Sequence, residues 1–170
     1  MSFLSKAMGS RRPSSPLTLV IGGTGKTGRR VADRLSASNH TVRIGARSAV
    51  PAFDWHREES WDACLKDVRA VYITYSPDLA MPGATDAIAA LVEKAKRAGV
   101  SRLVLLSGRG EEEAQACEQI VQASGLDWTI VRASWFNQNF SEGAFVDMVR
   151  QGTLTLPAGG TPEPYVDADD

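Results

Sequence analysis

Gly22, Gly25 and Gly28 stand at G-x-x-G-x-x-G spacing, with an extra Gly23 among them. That spacing suits a backbone that must come close to a pyrophosphate. The first glycine allows a tight turn, and the second lets peptide N–H groups approach the phosphates. The third lets a helix pack closely, so that its positive N-terminus faces them. The bland alternative is an ordinary glycine-rich turn, and context decides against it. The apolar run Leu17, Leu19, Val20 and Ile21 precedes as a strand, and Gly28, Val31, Ala32 and Leu35 follow on one helical face. About 20 residues beyond the glycines, where an Asp or Glu would hold the ribose hydroxyls of NAD, stand Arg47 and Ser48. Only Asp33, inside the helix, offers an acid between Gly28 and Arg47. A guanidinium grips a 2′-phosphate in bidentate fashion, and Ser48 adds a donor. The pair therefore points to NADP(H), with a solvated arginine at a strand end as the alternative.

These residues need a frame. Thr41–Ala46 reads as a second strand, with Val42 and Ile44 alternating, and Val50–Trp55 as a short third strand that brings Asp54 near an adenine. Trp61–Leu65 suits a short helix. Ala70–Tyr75 predicts a fourth strand, whose end falls where open α/β sheets bind ligands. Ile88, Leu91, Val92 and Ala95 mark an amphipathic helix closed by Gly99. Arg102–Leu106 is a fifth strand, followed by Ser107-Gly108. Glu111, Glu112 and Glu113 then open a helix, where its dipole favours negative charge, and Cys117, Ile120, Val121 and Ser124 share its face. Trp128–Arg132 is a sixth strand. Strands alternating with helices predict an α/β, doubly wound parallel sheet with helices on both faces. Beyond it, Phe145, Met148 and Val149 suggest one more helix, ended by Gly152, and Leu154–Pro157 a short strand.

The 170 residues are 43% hydrophobic and 23% charged, enough for one domain with a real core. Residues 1–16 read as a disordered tail and 17–170 as the nucleotide-binding domain. Because no acid precedes Asp33, a Ser/Arg-rich transit peptide is the tail's alternative reading. A net charge of -1 gives no nucleic-acid footprint. Cys64 and Cys117 lie outside any C-x-x-C, and with His40 and His56 the only histidines no metal site is expected. Free thiols suit the cytoplasm. No apolar run approaches the roughly 20 residues that span a bilayer.

GGTGKTG after the first strand, GARS after the second and GLDWTIVRASWFNQNF around the sixth resemble the NmrA-like branch of the atypical short-chain dehydrogenase/reductase family, near the subgroup of festuclavine and agroclavine oxidoreductases. The resemblance runs from about Leu17 to Asp170. It implies a Rossmann fold binding NADP(H), with Gly22, Gly25, Lys26, Thr27 and Gly28 around the pyrophosphate and Arg47 with Ser48 at the 2′-phosphate. It also implies that Tyr75, Ser107 and the loop carrying Trp135, Phe136, Asn137 and Asn139 line the nicotinamide and substrate side. Each has a plainer role open to it. Trp135 and Phe136 suit packing under a loop, Asn137 and Asn139 suit helix caps, Ser107 suits a cap, Lys26 suits solvent and Cys117 an inert core.

The sequence departs from the family pattern twice. The pattern continues past VDADD with a helix and a small substrate region, so that region is expected to be truncated here. The missing cover would leave apolar surface near the sixth strand and favour a homodimer. The Tyr-x-x-x-Lys dyad is also missing: four residues after Tyr72, Tyr75 and Tyr165 come Ser76, Leu79 and Asp169. Ketone reduction needs a proton donor for the developing alkoxide, which that dyad supplies. Tyr75 and Ser107 are the candidates left near the chemistry. The expected activity is hydride transfer from NADPH to a quinone or iminium-type small molecule, which needs no such donor. The alternatives are a non-catalytic NADP(H) redox sensor acting on a protein partner, and an inactive truncated member.

Overall fold

A computed structural model describes residues 15–143, 145–156, 160 and 162–170 of the chain. Five strands, β1 (Leu17–Ile21), β2 (Val42–Gly45), β3 (Val68–Ile73), β4 (Arg102–Gly108) and β5 (Asp127–Ala133), are all parallel and lie in the order β2-β1-β3-β4-β5. The chain moves outward from β1 to β2, then crosses back to place β3 on the other side of β1. Strand order thus reverses beside β1. In open α/β sheets this is the point where the carboxyl ends of neighbouring strands leave a crevice.

The helices divide between the two faces, as expected of a doubly wound Rossmann sheet. On one face α1 (Lys26–Ala37) sets Val31, Ala32 and Leu35 over Val20, Tyr72 and Ile44. On the other lie α2 (Trp61–Leu65), α3 (Ala84–Arg97) and α4 (Glu112–Gln122). There the main core gathers Leu19, Ile21, Leu103 and Leu105 from the strands with Ile88, Leu91, Cys117 and Val121 from the helices. Each fully buried Leu or Ile contributes about 2 kcal/mol. The spacing of Ile88, Leu91, Val92 and Ala95 dictates the buried stripe of α3, and Lys94, Lys96 and Arg97 suit its negative C-terminal end.

Val50–Trp55 forms no strand, so the sheet has five strands rather than six. Pro51 brings no N–H to a ladder. The Phe53 N–H instead donates to the Ala46 carbonyl (3.0 Å), folding the segment back onto the end of β2. The alternating aromatics then fill a corner of the core. Phe53 stacks on Trp61 at 5.6 Å, Trp55 meets Trp61 edge-on at 5.5 Å, and the Trp61 indole donates to the Asp54 carbonyl (2.7 Å). Phe53 and Trp55 are thus packed as a strand would pack them, but against an aromatic cluster.

After β5 the chain builds a small annex. β6 (Trp135–Phe136) pairs in parallel with β7 (Tyr165–Val166), and α5 (Asn139–Glu142) and α6 (Val146–Arg150) lie between them in sequence. The expected helix around Met148 and Val149 is α6. Leu154–Leu156 form no strand, and Pro157 lies outside the described residues, as do residues 1–14 of the expected tail. Gln138 is buried and clamps the final segment, donating to Asp167 Oδ1 (2.5 Å) and accepting from the Ala168 N–H (2.8 Å). Arg30 on α1 ties the annex to the main sheet through Glu142 (2.8 Å) and Asp169 (2.9 Å). Beside α1, no helix among the described residues covers the face over β4 and β5. Val131 is 44% exposed there, at a groove of about 700 Å³ bordered by Val31, Leu35, Tyr72 and Val104. Among the described residues, no helix is long and apolar enough to cross a membrane.

Candidate functional site

A groove of about 550 Å³ opens at the carboxyl ends of β1, β2 and β3. Its floor is the glycine loop. Gly22 has φ +72°, and a Cβ there would lie 2.1 Å from Thr74 Oγ1. That hydroxyl is spoken for, because it donates to the Ile21 carbonyl (3.0 Å). At Gly28 a Cβ would lie 2.2 Å from the Gly22 carbonyl oxygen. Only glycines let the loop and the first turn of α1 pack this closely. No side chain caps α1, whose N-cap is Gly25, and no acid stands in its first turn. The orphan amides at that end, beside Gly25, Lys26 and Thr27 in the groove wall, form a site for an anion. A cradle kept open by glycine and an uncapped helix end fit the diphosphate of a dinucleotide.

Arg47 lines the far end of the same groove and is exposed. Among the described residues, no hydrogen bond or ion pair engages its guanidinium. Asp54 also borders the groove, and its Oδ1 accepts from the backbone N–H of His56 (3.0 Å), an Asx turn that fixes the carboxylate's position. Ser48 follows Arg47 on the exposed bend and does not line the groove. Tyr75 also lines the groove, its ring 4.9 Å from that of Trp55, and the Trp55 indole donates to the Thr74 carbonyl (3.1 Å). Trp55 and His56 line the groove although sequence reasoning singled out neither. Their only signal was a short aromatic-rich run after the second strand, which pattern alone assigns to a strand.

The remaining predicted residues separate. Phe136 borders the groove, whereas Trp135 stacks on Phe145 at 5.4 Å inside the annex. Lys26 donates to Asn139 Oδ1 and sits 5.9 Å over the Phe136 ring. Burial lowers the Lys26 pKa, and Glu142 opposes that shift. Glu142 itself is held down at about 2 by hydrogen bonds from Arg30 and Arg29. Asn137 is exposed, with its N–H donated to the Val166 carbonyl (2.9 Å).

Ser107 turns to a different partner. Its hydroxyl donates to Glu118 Oε1 (2.6 Å), a carboxylate only 2% exposed on α4. Arg132 on β5 reaches the same carboxylate, with Nε at 2.9 Å from Oε1 and Nη2 at 2.5 Å from Oε2. The Arg132 hydrogen bonds hold the Glu118 pKa below the usual carboxylate range against the opposing effect of burial. This triad staples α4 to β4 and β5. Glu118 falls on the expected buried face of the helix, beside Cys117 and Val121, but a charged residue there gave no signal of its partners. Burial pushes the Cys117 thiol up to about 11, in keeping with an inert core residue.

The comparisons agree with this architecture. The chain matches the NAD(P)H-binding family model over residues 22–155. It is 32% identical over 158 residues to the prestalk A differentiation protein A of Dictyostelium discoideum, covering 83% of this chain and 52% of that one. It is 30% identical to the agroclavine dehydrogenase of Claviceps fusiformis, covering 78% of this chain and 52% of that one. The chain thus spans about half the length of these relatives. The structure superposes on the triphenylmethane reductase of Citrobacter sp. complexed with NADP(H), with a TM-score of 0.66, 16% identity and coverage of 91% of this chain and 61% of that one. By the family model, the relatives and its own parallel sheet with a glycine cradle at the strand-order reversal, this chain belongs to the NAD(P)H-binding Rossmann family.

Proposed function

We propose that the protein binds NADP(H) rather than NAD(H) and passes hydride to a small-molecule acceptor of quinone or iminium type. One observation carries this reading: a single groove joins an uncapped helix end at the glycine cradle to an exposed Arg47 with no partner among the described residues. The two ends suit a diphosphate and a 2′-phosphate. Reduced dinucleotide supplies the hydride when bound. The chain's own part is to hold the adenosine end by Arg47, to receive the diphosphate on the amides of α1, and to wall the reacting end with Tyr75 and Phe136. Near that end the Ser107 hydroxyl is already donated to Glu118, so it has no proton to offer a developing alkoxide. With no Tyr-x-x-x-Lys dyad either, the acceptor is one that is cationic or takes its proton from water.

The test is NADPH oxidation against quinones, iminium salts and simple ketones. Turnover with the first two classes and not with ketones is the expected result. Silence across the panel with cofactor bound contradicts hydride transfer and leaves the redox-sensor reading.

A further inference from the structure

The groove continues into a smaller cavity of about 210 Å³ at the carboxyl ends of β3, β4 and β5. Thr74, Tyr75, Pro77, Leu106 and Phe136 border both spaces. The groove's lining includes cations as well as an acid, Arg47 and Lys26 with Asp54, whereas the charged residues lining this end are acids. Asp78 and Glu111 line the cavity, and among its described lining residues there is no Lys, Arg or His. Arg109, close in sequence, is exposed and does not line it.

Glu111 is the better placed of the two acids. It is half-buried at the start of α4, whereas Asp78 is exposed. Its carboxylate folds back over the end of β4, so that a Cβ on Gly108 would lie 2.0 Å from Glu111 Oε2. The absence of a side chain at 108 is what lets the carboxylate occupy this position. Among the described residues, no hydrogen bond or salt bridge engages it. The neighbouring carboxylate, Glu118, is by contrast fully satisfied by Ser107 and Arg132. Burial, with lesser contributions from Asp78 and Glu113, makes the negative charge on Glu111 costly. A cation entering the cavity would relieve that cost.

Resting on the dinucleotide reading above, we propose that Glu111 is the specificity-determining residue of the substrate cavity and selects a cationic hydride acceptor over neutral ones. The reaction balances without an acid. One C–H bond of the reduced nicotinamide breaks, and its hydrogen and electron pair form a C–H bond at the cationic carbon. The dinucleotide is oxidised, the acceptor becomes neutral, and no proton is exchanged. Neutralisation also removes the attraction to Glu111, which favours product release.

The experiment is calorimetric titration of the NADPH-saturated chain at mildly alkaline pH. The probes are N-methylquinolinium and quinoline, near-isosteric bicycles of which only the first is charged and neither takes hydride from NADPH. The wild type should bind the cation about tenfold more tightly than quinoline, the effect of one opposite charge across a partly solvated contact. Glu111→Gln should bring the two probes within about twofold of each other while NADPH affinity stays unchanged. Gly108→Ala should also erase the preference, because its methyl group displaces the carboxylate without removing it. Equal binding of the probes by the wild type, or a preference that survives Glu111→Gln, overturns the proposal. Failure of NADPH itself to bind overturns the dinucleotide reading, and this proposal with it.

Discussion

Gly28→Ala should abolish measurable NADPH binding, with a loss of at least about a hundredfold, roughly 2.7 kcal/mol. The methyl group would lie 2.2 Å from the Gly22 oxygen and 2.6 Å from the Gly22 carbonyl carbon. Both are backbone atoms of the cradle, so no side-chain rotation relieves the contact. Either α1 moves away from β1 or the loop moves into the groove, and both misplace the amides proposed to receive the diphosphate. Isothermal titration reads the affinity, and circular dichroism shows whether the fold remains. Retained affinity would mean that the diphosphate does not lie over this turn.

The second large effect concerns stability. Arg132→Met should destabilise the protein by about 3 kcal/mol, because it strips the principal partner from a carboxylate that is buried and cannot reach water. For a chain of this size that corresponds to a fall in Tm of roughly 10 °C. Glu118→Gln should cost much less, since the amide still accepts from Ser107 and Arg132, 56% exposed, can turn to solvent. The pH dependence separates the two. In the wild type the Glu118 pKa is depressed, so its contribution is full above the unfolded carboxylate value, near 4.3, and is lost as pH falls below it. In Arg132→Met burial outweighs the remaining Ser107 hydrogen bond and raises that pKa, so the deficit should narrow as the solution is acidified toward that value. Thermal melts across that range check both signs. A deficit that stays constant on acidification would show that the loss comes from packing and not from the stranded charge.

Much of this fold is legible in the sequence because its elements are fixed locally. Leu17–Ile21, the glycine spacing and the Val31–Leu35 stripe each carry their own period, and they fold as read into β1, the cradle and α1. The stripe of α3 and the strand at Arg102 follow the same logic. Val50–Trp55 fails for an identifiable reason. Alternating apolar residues report burial every second position, not what covers them, and here the cover is Trp61 and Tyr75 rather than a neighbouring strand. At the site, the glycine loop and Arg47 were visible because motif spacing places them. Ser107 was visible only as a polar residue at a strand end. Its commitment to Glu118, eleven positions away on a helix across the layer, depends on how α4 lies on β4 and β5. The pairing of β6 with β7, whose partners lie 30 positions apart, and the capture of Lys26 by Asn139, are likewise tertiary events with no local signal.

On the proposed reading, a cation and not an acid holds the adenosine end of the dinucleotide. The most direct measurement is calorimetric titration of the wild type and Arg47→Ala with NADPH and NADH. The wild type should prefer NADPH, and Arg47→Ala should weaken NADPH about tenfold or more while leaving NADH within about twofold, because only the 2′-phosphate loses its partner. Equal affinity of the wild type for the two dinucleotides, or parallel loss of both in the variant, would contradict it.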